Sequence, residues 1–123
     1  MKKVVTLLLV FFFGIFKLTS QDILWTGHIS STDEVIPLKS IMDSNDNLYI
    51  LGKFKSNLNY SLTTLNSNGG SDIFLLKLEK NGNINWAINI GSDQNDLPSD
   101  IALANNNSEL IVSGSFTDTC FFN

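Results

Sequence analysis

The sequence predicts an all-β chain assembled from a repeated four-stranded antiparallel unit, and three observations carry that expectation. First, one pattern occurs twice: Ile23-Leu24-Trp25-Thr26-Gly27-His28-Ile29, Pro37 and Leu48-Tyr49-Ile50-Leu51-Gly52-Lys53-Phe54 return as Ile84-Asn85-Trp86-Ala87-Ile88-Asn89-Ile90, Pro98 and Leu110-Ile111-Val112-Ser113-Gly114-Ser115-Phe116. Trp25 and Trp86 lie 61 positions apart, as do Pro37 and Pro98, while Gly52 and Gly114 lie 62 apart, a slip of one inserted residue. An ordered Trp, Pro, apolar run and Gly-x-Phe at one offset is the mark of internal duplication. Second, short segments rich in β-branched and aromatic residues alternate with turn signals. Third, no stretch after the N-terminal region repeats apolar residues at helical spacing over eleven or more residues, because Asn, Gly, Ser and Asp interrupt every candidate.

Four strands are expected in order. Ile36 to Met42 is followed by a tight turn at Asp43-Ser44-Asn45-Asp46-Asn47, then by Leu48 to Lys55. A polar connection from Ser56 to Ser71, with a short extension around Leu62 to Leu65, leads to the third strand, Asp72 to Glu79. Asn81-Gly82 supplies the positive φ angles of a type I′ turn, and the fourth strand is Ile84 to Ile90. Labelled a to d, these make one complete unit. Ile23 to Ile29 matches a d strand, while Asp100 to Ala104 and Glu109 to Phe116 match the a and b strands of the next unit. Four antiparallel strands followed by the start of four more is the pattern of propeller blades. The expectation is therefore a partial β-propeller: one complete blade and parts of two neighbours. Such a piece leaves apolar faces and strand edges bare, so missing blades or another chain are expected to cover them.

Lys2 and Lys3 precede thirteen residues, Val4 to Phe16, interrupted only by Thr6 and Gly14. A run of this length is too short to cross ~30 Å of hydrocarbon at ~1.5 Å per residue and reads as the apolar part of a secretory signal peptide. Residues 1–20 are assigned to it, with Gln21 as the mature N-terminus, and 21–123 to the repeats. An exported location, secreted or at the cell surface, follows. Residues 21–123 hold five lysines, no arginine and twelve carboxylates, a net charge of −7. Phosphate backbones are bound by clustered Lys and Arg, so nucleic acid is not an expected partner, and the same sign argues against an anionic membrane surface.

The stretch Gly69-Gly70-Ser71-Asp72-Ile73-Phe74-Leu75-Leu76-Lys77-Leu78-Glu79-Lys80-Asn81-Gly82-Asn83-Ile84-Asn85-Trp86-Ala87, continuing through Ile90-Gly91-Ser92 to Asp96, resembles the bacterial β-propeller repeat family known as SBBP-type. Gly52-Lys53-Phe54 and Gly114-Ser115-Phe116 fit its closing element, and the likeness covers most of residues 22–118. Two departures weaken the turn chemistry: Asp46 stands where many repeats have Gly before Asn, and Ser30-Ser31 replaces Gly-Ser. The resemblance implies a secreted or surface protein whose propeller is a scaffold for binding or display.

Individual residues point the same way. Trp25 and Trp86 recur at one repeat position and are expected to pack between units, with Phe54, Phe74 and Phe116 in the core. His28 is the only histidine and Cys120 the only cysteine, so a His-based metal site is not expected, no Ser-His-Asp or Cys-His arrangement is assigned without identified partners, and His28 is expected to be structural. Cys120, followed by Phe121 and Phe122, is expected to be buried. The 43–47 segment has oxygens at alternate positions but lacks the glycine and glutamate of a calcium loop, with Leu48 and Phe54 in their places. Asp93, Asp96 and Asp100 could supply paired carboxylates for glycoside hydrolysis; turn capping or hydrogen bonding between blades is preferred. No catalytic, cofactor-binding or metal-binding residue is assigned, and no cofactor is expected. The function expected is that of a non-catalytic exported scaffold with a glycan or protein ligand. The alternative is a piece of a propeller hydrolase or quinone-dependent dehydrogenase whose active site lies outside this chain.

Overall fold

The computed structural model describes residues 24–123, so the expected signal peptide, residues 1–20, lies outside the described residues. Among the described residues the chain is all-β with antiparallel pairing throughout and no helix. The strands are β1 (Ile29–Ser30), β2 (Val35–Met42), β3 (Leu48–Tyr60), β4 (Thr63–Leu78), β5 (Ile84–Gly91), β6 (Leu97–Ala104), β7 (Glu109–Ser115) and β8 (Phe121–Phe122). β3 to β5 form the middle of one sheet. β2 and β1 share the outer edge of β3, and β8 extends the sheet beyond β5. β6 and β7 form a second sheet.

The duplicated sequence produces a duplicated pairing. Pro37 faces Gly52 and Pro98 faces Gly114, and each proline is followed by a bulge that passes over one residue, Leu38 or Ser99. Both glycines sit where a Cβ would meet the carbonyl oxygen of the residue before the proline, Ile36 or Leu97. The one-residue slip falls in the hairpin tip. Met42 and Leu48 enclose residues 43–47, whereas the equivalent pair Leu103 and Leu110 encloses 104–109. The shorter tip has one residue at positive φ, Asp46, and the longer has three, Asn105, Asn106 and Asn107, residue types that tolerate this conformation.

Asp43 organises the first tip. Its Oδ1 accepts from the Asn45 and Asn47 amides at 2.9 Å each, and its Oδ2 from the Asn47 side chain at 2.8 Å and the Tyr49 hydroxyl at 3.2 Å. This is the hairpin expected there, with the carboxylate committed to its own turn. Burial pushes the Asp43 carboxyl up, but the hydrogen bonds from Asn47, Asn45 and Tyr49 outweigh it and hold the group below the ordinary aspartate range. The stabilisation is therefore present above that range and lost as pH falls through the lowered value. Asp43→Ala is expected to cost about 1–2 kcal/mol at pH 7, read by urea denaturation, with a smaller penalty in strong acid.

Three local expectations are corrected. Ser56 to Ser71 is strand rather than connection: β3 and β4 run on to a two-residue tip, Ser61-Leu62. The polar composition reflects a large bulge, since Lys55 faces Ser71 but Asn57 faces Asn66, leaving Ser56 opposite Ser67-Asn68-Gly69-Gly70. The Asn81-Gly82 turn has positive φ only at Gly82, and Gly82 donates its N–H to the Glu79 carbonyl at 2.8 Å. It is a type I turn closed by a left-handed glycine, not type I′. Of the segment 23–29, the described residues 24–28 are outside any strand and only Ile29 enters one.

The bulge at 67–70 folds the β3–β4 hairpin over the sheet. A straight β4 would span about 50 Å, yet the Tyr60 hydroxyl at its near end donates to the carbonyl of Gly82, beyond its far end, at 2.7 Å. Two cores result. On one face Phe54, Phe74, Leu76 and Leu78 are buried under Leu58 and Tyr60 of the folded-over tip, with Trp25 alongside. On the other face Tyr49, Leu51, Ile73, Leu75 and Ile90 pack with Trp86 against Ile101, Leu103 and Val112 of the second sheet.

Candidate functional site

The residues singled out from sequence are dispersed. Trp86 lies between the two sheets, its ring edge-on to Tyr49 at 6.0 Å, and Lys77 sits 5.2 Å above the Tyr49 ring. Trp25 lies on the opposite face against the Gly82 turn, where a Cβ would come within 2.6 Å of the indole. Both tryptophans pack, but only Trp86 does so from a strand. Phe54 and Phe74 are fully buried, whereas Phe116 is exposed, which corrects its core assignment. His28 is exposed. Cys120 is half-buried against the inter-sheet core, and burial together with the Asp96 and Asp72 charges pushes its thiol up, away from a reactive thiolate.

The three aspartates take separate roles. Asp93 is exposed. Asp100 pairs with Lys39, the residue at the equivalent repeat position on β2, and that partner holds its carboxyl below the ordinary range. Asp96 is buried and caps the turn after β5: it accepts from the Ser92 amide at 2.6 Å, from the Ser92 hydroxyl, and from the Thr117 amide at 3.3 Å. These carboxylates do not converge on a shared space. Among the described residues, no group of three His, Cys, Asp or Glu is arranged to hold a metal ion.

Sequence reasoning missed a buried polar cluster within β4, just after the bulge at 67–70. Asp72 is fully buried, facing Gly91, where any Cβ would strike its carboxyl carbon. Its Oδ2 accepts from the Asn68 amide at 2.8 Å, while its Oδ1 has no partner. Neighbouring Asn89 donates to the Asn66 carbonyl at 2.8 Å, and its Oδ1 is likewise unpaired. Burial pushes the Asp72 carboxyl up; the Asn68 and Asn89 amides oppose this, and the Asp96 charge adds to it. Such a group costs stability above its raised value, and the cost disappears as pH falls through that value toward the ordinary one. Asp72→Asn keeps the acceptor for Asn68 and puts a donor where an unpaired oxygen lies. The substitution is expected to stabilise the fold by about 1 kcal/mol at pH 7, with the gain shrinking toward pH 4, measured by urea denaturation at both values.

A groove of about 680 Å³ lies where the residues before β1, the β3–β4 tip and the Gly82 turn meet. Thr26, His28, Ser30, Ser61, Thr63 and Asn83 present polar side chains to it. Asn59 and Asn81 join them, partly engaged with Thr64 and the Asn83 amide. Leu62, fully exposed at the tip, and Ile84 supply apolar surface. No Asp, Glu, Lys or Arg lines the groove. The Tyr60 hydroxyl is held by Gly82 and fixes the tip over the turn; burial pushes it up, so it remains a neutral donor. The arrangement surrounds a space free of charged side chains with hydroxyls, carboxamides and one imidazole. Comparison with known proteins returns no match: no family model fits the chain, and no curated protein or solved structure matches it.

Proposed function

We propose that the protein is a non-catalytic exported scaffold for binding or display at the cell surface, built as an incomplete β-propeller. β2 to β5 make one complete blade in this reading, and β6 and β7 the first two strands of the next. The observation that carries it is the shared register of β2–β3 and β6–β7, down to the bulge after Pro37 and Pro98. Two further contacts support it. Lys39 and Asp100, equivalent in the repeat, meet across β2 and β6, as neighbouring innermost strands of a propeller would. Trp86 fills the space between the sheets. The folded-over β3–β4 tip occupies the face where a preceding blade would stack, which fits a terminal unit closed by its own chain. The edge of β7 is then the side that receives further strands, from more blades or from another chain.

Two experiments test the reading. Expression of the full chain in a bacterial host, with cell fractionation and N-terminal sequencing, is expected to yield a product starting near Gln21 outside the cytoplasm. An uncut cytoplasmic product overturns export. Extending the chain with tandem copies of residues 36–97 is expected to raise stability and keep unfolding a single cooperative step, because stacked units share interfaces. Copies that unfold independently overturn the propeller.

A further inference from the structure

We infer that the groove beneath the β3–β4 tip is a binding site for a neutral oligosaccharide, a ligand class that rests on the binding-scaffold reading and sharpens it. The volume, about 680 Å³, falls in the range of roughly 300–1,000 Å³ typical of small-ligand sites. Its lining is the decisive feature. In a chain of net charge −4, the groove is walled by amides, hydroxyls and one imidazole, with no charged side chain of either sign. A charged ligand would find no countercharge there, and a polyanion would also meet the acidic protein field. A mainly apolar ligand would strand the polar lining without partners.

A sugar fits on both counts. Each pyranose carries hydroxyls that donate and accept, matching carboxamides that offer both functions on one plane, as Asn83 and Asn81 do, and hydroxyls that rotate to suit, as in Ser61 and Thr63. Its apolar C–H faces match Leu62 and Ile84 at the rim. The frame is fixed in advance, because the Tyr60–Gly82 hydrogen bond and the left-handed Gly82 hold the tip and the turn in place. Preorganisation of this kind lowers the ordering cost of binding. Trp25, packed on Gly82, reports on the groove from behind.

The test is titration of the folded protein, with Trp86 replaced by Phe so that Trp25 alone fluoresces, against cellohexaose, laminarihexaose, chitohexaose and the anionic hexamer of galacturonate. At least one neutral hexasaccharide is expected to give saturable binding, with amide chemical-shift changes at Ser61, Gly82 and Asn83. Asn83→Ala and His28→Ala should each weaken it about fivefold, the loss of one hydrogen bond, without lowering the melting temperature. Absence of binding by all three neutral sugars, equal binding of the galacturonate hexamer, or shifts confined to another surface overturns the assignment. A properly exported, folded chain that binds none refutes the ligand class alone. Shortening of a bound oligosaccharide during the titration overturns the non-catalytic reading instead.

Discussion

Phe74→Ala is expected to lower the unfolding free energy by about 4 kcal/mol, within the usual range for removing a buried aromatic ring. Phe74 is fully buried at the middle of β4, between β3 and β5, and meets the Phe54 ring edge-on with centroids 6.3 Å apart. Its face of the sheet is covered by Leu58 and Tyr60 of the folded-over tip. That cover is tied at both ends, by the Tyr60 hydrogen bond to Gly82 and by the Asn89 bond to Asn66, so it is poorly placed to collapse into the space the ring vacates. Domains of this size are stable by only about 5–15 kcal/mol, so the variant is expected to lie close to its unfolding threshold at room temperature. Phe122→Ala provides the contrast: that ring is 71 % exposed, and its loss should change stability by no more than about 0.5 kcal/mol. Urea denaturation followed by tryptophan fluorescence measures both. A cost for Phe74→Ala below about 2 kcal/mol would mean that the tip closes on the sheet only loosely.

The segment that holds Phe74 and its neighbour on β3 were legible because their residues satisfy a local and a global demand together. Leu48 to Phe54 and Ile73 to Leu78 are β-prone and apolar on both faces, as strands between two cores must be. The hairpin tip was not legible. Its Asn, Ser and Gly residues read as a loop, and only the spacing of Leu58 and Tyr60 signals a strand, because the segment is held by backbone ladder bonds and by a fold-over that sequence does not encode locally. The groove was hidden for the same reason: Thr26, Ser61 and Asn83 belong to three separate segments and meet only once the tip has folded. The duplication was the clearest signal, yet Trp25 and Trp86 reach their packed positions by different routes. Trp86 belongs to β5, paired along Ile73 to Leu78, whereas Trp25 lies in a segment with no strand beside it. Sequence identity at a repeat position predicts that a side chain packs, but neither the ladder that carries it nor the face of this sheet it covers, since the two indoles join different cores.

Gly52→Ala is expected to cost about 3 kcal/mol, the upper end of overpacking effects, and Gly114→Ala about 1 kcal/mol, although the two glycines are equivalent in the repeat. Neither has a positive φ, so conformational strain does not separate them. Space does. At Gly52 a methyl group would meet the Ile36 carbonyl and, at 2.6 Å, the buried Phe74 ring, which Phe54 and the folded-over tip hold in place. Backbone at the bulge or the ring itself must then move, at the expense of a ladder or of the core. At Gly114 the methyl would meet the Leu97 carbonyl at 2.7 Å and the Ile73 Cδ1 at 2.9 Å, and the site is open to solvent on its other side. The Cδ1 atom can swing away by a rotamer change, and β7 has a free edge that lets it shift. Paired denaturation curves of the two variants measure the difference directly. Equal costs would mean that the proline bulge alone sets the demand for glycine; the expected threefold disparity would assign most of it to the ring that only the completed sheet places opposite Gly52.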